Sequence, residues 1–167
     1  MKKKHSQIVS LSEVEATEFG KGRFGFKSKR LAAHAGAQAI GCNWFELAPG
    51  QTAFPYHYHA GIEENIFVLN GVGTLRIGSD RIEVKLGDYM AFPAGPQFAH
   101  SLENTGQKPL QYLAISNKSS VDVVGYPDSK KVAVMATPDP NEWPPQSAWV
   151  KMLIKEQPSV DYFDGEA

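Results

Sequence analysis

At 167 residues and 18.3 kDa the chain is long enough for one domain with a sizeable core and too short for two full ones. A 42% hydrophobic share is that of a globular protein, and a formal net charge of −1 excludes the strongly basic surface that nucleic acid or an anionic membrane selects. A single cysteine, Cys42, forms no internal disulfide, and no stretch approaches the length of a membrane span, so a cytoplasmic location is expected.

Residues 1–39 read as an N-terminal arm with outer strands. The run Lys2-Lys3-Lys4 is followed by no apolar segment, which marks a solvated start rather than a signal peptide. Apolar positions are sparse over residues 1–22 and support one strand at most, at 7–11. Residues 24–32 and 37–47 look extended, with His34, Ala35 and Gly36 as the turn between them. From 50 to 116, short β-rich runs at 52–59, 65–69, 73–77, 81–85, 89–92, 98–104 and 110–116 alternate with Gly, Asn, Asp and Pro. That spacing predicts an all-β barrel or sandwich, and no amphipathic helix interrupts it. Asn70-Gly71 and Gly78-Ser79-Asp80 predict hairpin turns, because Gly and Asn accept positive φ. Beyond 117, runs at 121–124 and 131–135 predict further strands, and Pro138, Pro140, Pro144, Pro145 and Pro158 break the remainder. Trp143, Trp149, Met152, Leu153, Ile154, Tyr162 and Phe163 are too many large apolar groups for a disordered tail. Residues 117–167 therefore read as an extension wrapping the barrel or meeting another subunit.

The chemistry is concentrated at 57–71. Successive side chains of a strand point to opposite faces, so His57 and His59 share one face while Tyr58 takes the other. In the following run the same alternation groups Glu64, Ile66 and Val68. Two imidazoles and a carboxylate suit iron, manganese, nickel, cobalt or zinc better than calcium or magnesium. His100 lies on a later strand, on a face with Leu102 and Asn104 that can look into the barrel. His5 and His34 sit in the arm and in a turn, where a solvated or structural role is the expectation.

These segments resemble the two motifs of the cupin superfamily. Gly50, His57, His59, Glu64 and Gly71 follow the first motif, with one extra residue before His57. Glu64 rather than Glu63 has the six-residue spacing to Gly71. Gly87, Pro93, Gly95, His100 and Asn104 follow the second. Here four residues rather than two separate Gly95 from the histidine, and Phe98 occupies the strict slot; a shift of two preserves strand facing. The resemblance covers roughly residues 40–116. It implies a double-stranded β-helix, a jelly-roll-like barrel with its core at 40–116 and extensions at 1–39 and 117–167. It further implies a single divalent transition metal ion on His57, His59, Glu64 and His100, and pairing into a homodimer. Tyr126-Pro127-Asp128-Ser129 also resembles a segment that follows the barrel in small bacterial cupins.

The function implied is a metal-dependent enzyme on a small oxygenated metabolite, of the dioxygenase kind or the isomerase and decarboxylase kind. The alternative is a non-catalytic module that binds or senses a small molecule. Ile66, Val68, Tyr89 and Leu102 are the expected pocket walls. Lys27, Lys29 and Arg30 are the arm residues able to serve a phosphate at the mouth. Tyr112, Gln97 and Asn104 stand between packing and pocket roles.

Overall fold

The computed structural model describes residues 5–142 and 144–166, so the lysine run at 2–4 and Trp143 lie outside the described residues. No strand forms at 7–11. There the backbone makes only an isolated bridge between His5 and Ile8, and Leu11–Glu13 is a 3-10 turn in which the Ser10 N–H donates to the Glu13 carboxylate at 2.9 Å. A local side-chain acceptor replaces a strand partner.

The first regular pair is a hairpin of β1 (Thr17–Lys21) and β2 (Phe24–Lys29). A single helical turn, α1 (Leu31–His34), leads to β3 (Ile40–Leu47). The strands that follow are β4 (Tyr58–His59), β5 (Glu64–Asn70), β6 (Val72–Ile77), β7 (Asp80–Lys85), β8 (Tyr89–Phe92), β9 (His100–Glu103) and β10 (Leu110–Asn117). The chain closes with β11 (Val121–Tyr126), β12 (Lys131–Ala136) and β13 (Val150–Lys155).

These strands make a six-stranded sheet in the order β1-β2-β3-β10-β5-β8, a three-stranded sheet β7-β6-β9 and a four-stranded sheet β13-β12-β11-β4. The first two face each other across the core. Phe45, Leu47, Ile66, Val68, Met90, Phe92, Leu110, Tyr112 and Ala114 come from one side, and Leu75, Val84 and Leu102 from the other. Period-2 alternation is clean on β10, where Leu110, Tyr112 and Ala114 are buried and Gln111 and Leu113 are not. Leu47, Val68 and Leu110 have no exposed surface, and each full burial contributes about 1.5–3 kcal/mol of transfer free energy.

Three predicted features come out differently. The run 52–59 is mostly irregular, because Pro55 removes a ladder donor; before the two-residue β4 at its end, it meets the sheets through isolated bridges of Thr52 to Phe24 and Glu103 and of His57 to His100. The run 98–104 starts as a 3-10 turn, Pro96–Phe98, so that β9 begins at His100. Asn70-Gly71 is not a hairpin. β5 pairs with β10 and β8 while β6 pairs with β7 and β9, so the chain turns a corner there from one sheet to the other. Gly71 has φ 87°, and a Cβ on it would run into the backbone of Pro109 and Leu110.

The C-terminal sheet is seated on the barrel at two places. β11 pairs with β4, and the Arg76 guanidinium of β6 makes a two-pronged ion pair with Asp128, in the segment after β11, while lying 3.7 Å over the Tyr56 ring. That gives the 126–129 segment a docking role. β13 and the residues after it stay exposed within the single chain, with Trp149 70% and Tyr162 87% accessible. Among the described residues, no helix is long and apolar enough to cross a membrane.

Candidate metal centre

The four residues singled out in the sequence gather around Glu64 Oε2, from elements that belong to all three sheets. His59 lies on β4, Glu64 opens β5 and His100 opens β9, while His57 is bridged to His100 by reciprocal backbone hydrogen bonds of 3.1 and 2.8 Å. The imidazole Nε2 atoms of His57, His59 and His100 stand 3.8, 3.7 and 3.3 Å from Glu64 Oε2. Ligand atoms of His57, His59 and Glu64 lie within 4.8 Å of one another, so these three form a cluster that can hold a metal ion. His100 joins it through its shorter approach to the carboxylate. Glu63 faces away, exposed, its N–H donating to Asn117 Oδ1 at 2.7 Å.

Each imidazole is held by its other nitrogen. His57 Nδ1 meets Pro55 O at 2.8 Å, His100 Nδ1 meets Phe98 O at 3.1 Å, and His59 Nδ1 meets Asp122 Oδ2 at 2.6 Å. Carbonyl and carboxylate oxygens only accept, so all three rings carry hydrogen on Nδ1 and turn Nε2 toward Glu64. Packing fixes the planes. Phe92 stacks on His100 with centroids 3.6 Å apart, and Phe54 meets His57 edge-on at 6.1 Å. The Gly95 N–H donates to His59 O at 2.8 Å, which ties the Pro93-Ala94-Gly95 turn to the ligand loop.

The electrostatics call for a cation. Glu64 Oε2 is buried and has no hydrogen-bond partner among the described residues, although three nitrogens surround it. An unpaired buried carboxylate facing three nitrogen lone pairs would be strongly unfavourable. Protons or a metal ion must lie between them. In the proton-filled state, burial alone would raise the Glu64 pKa, but the imidazoles of His100 and His57 outweigh it and hold the carboxyl well below its usual range. Burial likewise would lower the His59 pKa, yet the hydrogen bond to Asp122 and the charges of Glu64 and Asp122 raise it above the ordinary 6.5. A donor set of imidazoles and one carboxylate fits a first-row transition ion.

Beside the cluster is a narrow cavity lined by Phe54, Ile66, Leu102, Tyr112 and Ala114 together with His57, Glu64 and His100; it has room for about one water molecule. Tyr112 stacks on Phe45 at 5.3 Å, and burial, followed by the charge of Glu64, pushes its hydroxyl pKa well above 10. Two expected walls are elsewhere. Val68 is sealed in the core, and Tyr89 is 61% exposed on the outer face of β8, donating to Asn65 Oδ1. The arm cations also serve other partners: Lys27 pairs with Glu18 and Glu46, Lys29 donates to Leu11 O, and Arg30 donates to Asn141 O. Asn104 is fully buried and structural, donating to Leu47 O and Lys108 O and accepting from the Gly106 N–H. Gln97 lies exposed on the 3-10 turn.

Two neighbours of the cluster, Asp122 and Tyr126, were not anticipated as site residues. Both lie on β11, where pairing of His59 with Val124 sets even-numbered residues on the His59 side. Tyr126 stacks against His57 at 6.2 Å with Lys131 Nζ 5.3 Å from its ring, and burial raises its pKa. The run at 121–124 is legible as a strand, but nothing local tells which barrel residue it faces.

Residues 43–116 match the cupin domain family. A 60-residue stretch is 37% identical to an uncharacterized protein of Methanocaldococcus jannaschii, covering 36% of this chain and 46% of that protein, so the match spans under half of the relative's length. Among solved structures, a proposed sugar phosphate isomerase of Acidithiobacillus ferrooxidans is 25% identical, with a TM-score of 0.75 over 90% of this chain and 92% of its own. A sugar phosphate isomerase of Silicibacter pomeroyi, 22% identical with a TM-score of 0.77 over 94% and 98%, shares the fold. A predicted oxalate decarboxylase of Thermotoga maritima is 26% identical, with a TM-score of 0.57 over 66% and 97%. With its two facing sheets and the family match at 43–116, the chain contains a cupin domain, built as a β-barrel.

Proposed function

We propose that this cupin is a metal-dependent enzyme acting on a small oxygenated metabolite, with one divalent iron, manganese, nickel, cobalt or zinc ion held by His57, His59, Glu64 and His100. The observation that carries this is the convergence of three Nδ1-anchored imidazoles on a buried carboxylate oxygen with no hydrogen-bond partner among the described residues. When bound, the ion supplies a Lewis acid that polarises a substrate oxygen. Likeness to a proposed sugar phosphate isomerase and a predicted oxalate decarboxylase favours isomerase or decarboxylase chemistry over oxygen insertion.

The chain's own residues contribute in distinct ways. The cavity admits only the reacting end of a substrate, a carboxylate, carbonyl or enediol, while Phe54, Ile66, Leu102 and Ala114 keep bulk water away from it. Tyr112 stays protonated at neutral pH and can donate a hydrogen bond to an oxygen held there. Tyr126 and Lys131, on the His59 side of the C-terminal sheet, give the rest of the substrate a polar and cationic contact. A homodimer joined through the exposed apolar groups of β13 and the following segment completes the reading. The lone half-buried thiol of Cys42 suits a cytoplasmic setting.

The test is elemental analysis of the purified protein followed by turnover assays on hydroxy acids, oxalate and sugar phosphates under air and argon. About one metal per chain and metal-dependent product support the proposal. Tight metal-dependent binding of one of these compounds without product would make the protein a binding module instead.

A further inference from the structure

We propose that Asp122, on the C-terminal strand β11, is the positioning residue of the metal centre, holding the His59 ring so that Nε2 faces the ion. The inference rests on the metal reading above and adds to it a residue outside the cupin domain match at 43–116.

The three imidazoles are anchored in two different ways. His57 and His100 each turn Nδ1 to a backbone carbonyl two residues earlier in their own segment, a local and neutral device. His59 instead donates to a carboxylate 63 residues away in sequence, at 2.6 Å. The other oxygen of the same carboxylate, Asp122 Oδ1, accepts the Gly61 N–H at 2.9 Å. Asp122 thus grips both the ring and the loop that follows it. Its side chain is 14% exposed, so the grip is sheltered from water. The ladder around it is continuous: His59 pairs with Val124, Tyr58 with Gly125, and the Ala60 N–H donates to Val123 O at 2.8 Å.

Three consequences follow. A fixed acceptor at Nδ1 selects one tautomer and one ring orientation, so His59 meets an ion without first losing rotational freedom. Asp122 and Glu64 together supply two negative charges, which balance a divalent ion in a partly buried site. Because the anchor belongs to a separate sheet, ion binding and docking of β11 reinforce each other by the same free energy.

Apo wild type, Asp122→Asn, Asp122→Glu and His59→Ala proteins, each checked for folding by circular dichroism, are titrated with Zn2+ against a chromophoric chelator. We expect Asp122→Asn to lose about 10- to 100-fold in Zn2+ affinity, Asp122→Glu to recover part of it, and His59→Ala to lose more than either. The Co2+-loaded Asp122→Asn protein should show an altered visible spectrum, which a role in fold stability alone would not produce. Wild-type affinity and an unchanged Co2+ spectrum in Asp122→Asn would overturn the positioning role while leaving the metal reading intact. A wild-type protein that binds no ion would overturn both, and a variant that melts earlier yet binds Zn2+ normally when folded would assign Asp122 to the fold only.

Discussion

Glu64 and His59 set the chemistry of the site at the scale of single residues, and their protonation makes metal uptake depend on pH. Glu64 remains ionised from the acid side upward, because its pKa lies well below the usual carboxylate range. His59 holds its proton to higher pH than a free imidazole. With its folded pKa above 6.5, the metal-free protein gains stability from the proton on His59 below about pH 6.5 and loses that gain as pH rises through the raised value. An ion has to displace this proton, so its own stabilisation runs the other way. Thermal melts with and without Zn2+ should show a metal-induced rise in Tm that grows between about pH 6 and pH 8, and a flat difference would contradict the linkage. Replacing Glu64 or His57 by alanine should reduce bound metal from about one per chain to near zero while far-UV dichroism stays unchanged, since neither side chain belongs to the hydrophobic core. Retained metal in both variants would refute the ligand assignment.

Elements show which parts of this arrangement a sequence can reveal. The His57-x-His59 pair and the alternation of β5, β8 and β10 are local properties, legible from neighbouring residues because a strand repeats every two positions. The Asn70-Gly71 corner was misread because turn chemistry reports a positive φ and not the sheet that the next strand joins. Tyr89 was assigned to the wrong face although burial of Met90 and Phe92 on the same strand leaves it only the outer one. Asp122 had no signal at all, since a contact across 63 residues leaves no periodic trace. The corner carries a prediction of its own. Gly71→Ala would place a Cβ against the Pro109 and Leu110 backbone at a φ of 87°, so chemical denaturation should report a loss of about 1–3 kcal/mol or more. Gly78→Ala, at a hairpin with open space around it, should cost less.

For the whole molecule, the exposed apolar groups of β13 form an unpaired edge that a second copy can cover. Met152, Leu153 and Ile154 are 48%, 61% and 48% accessible on consecutive positions, so both faces of the strand are apolar. Light scattering on the purified chain should give the mass of a dimer, and Leu153→Asp combined with Ile154→Asp should give a monomer with unchanged metal content; a monomeric wild type would remove the dimer from the proposal.

The distribution of the four ligands over three sheets also orders events in time. His59 is set by the C-terminal sheet, Glu64 by the six-stranded sheet, and His57 with His100 by the bridge to the three-stranded one. No single sheet offers the complete set, so on the metal proposal the ion would be captured only after all three sheets have come together. Refolding in Zn2+ should then proceed at the metal-free rate, whereas unfolding slows, because the stabilisation arises after the rate-limiting barrier. On the same proposal the chain would fold empty, and which ion it then took would depend on the metals available to it.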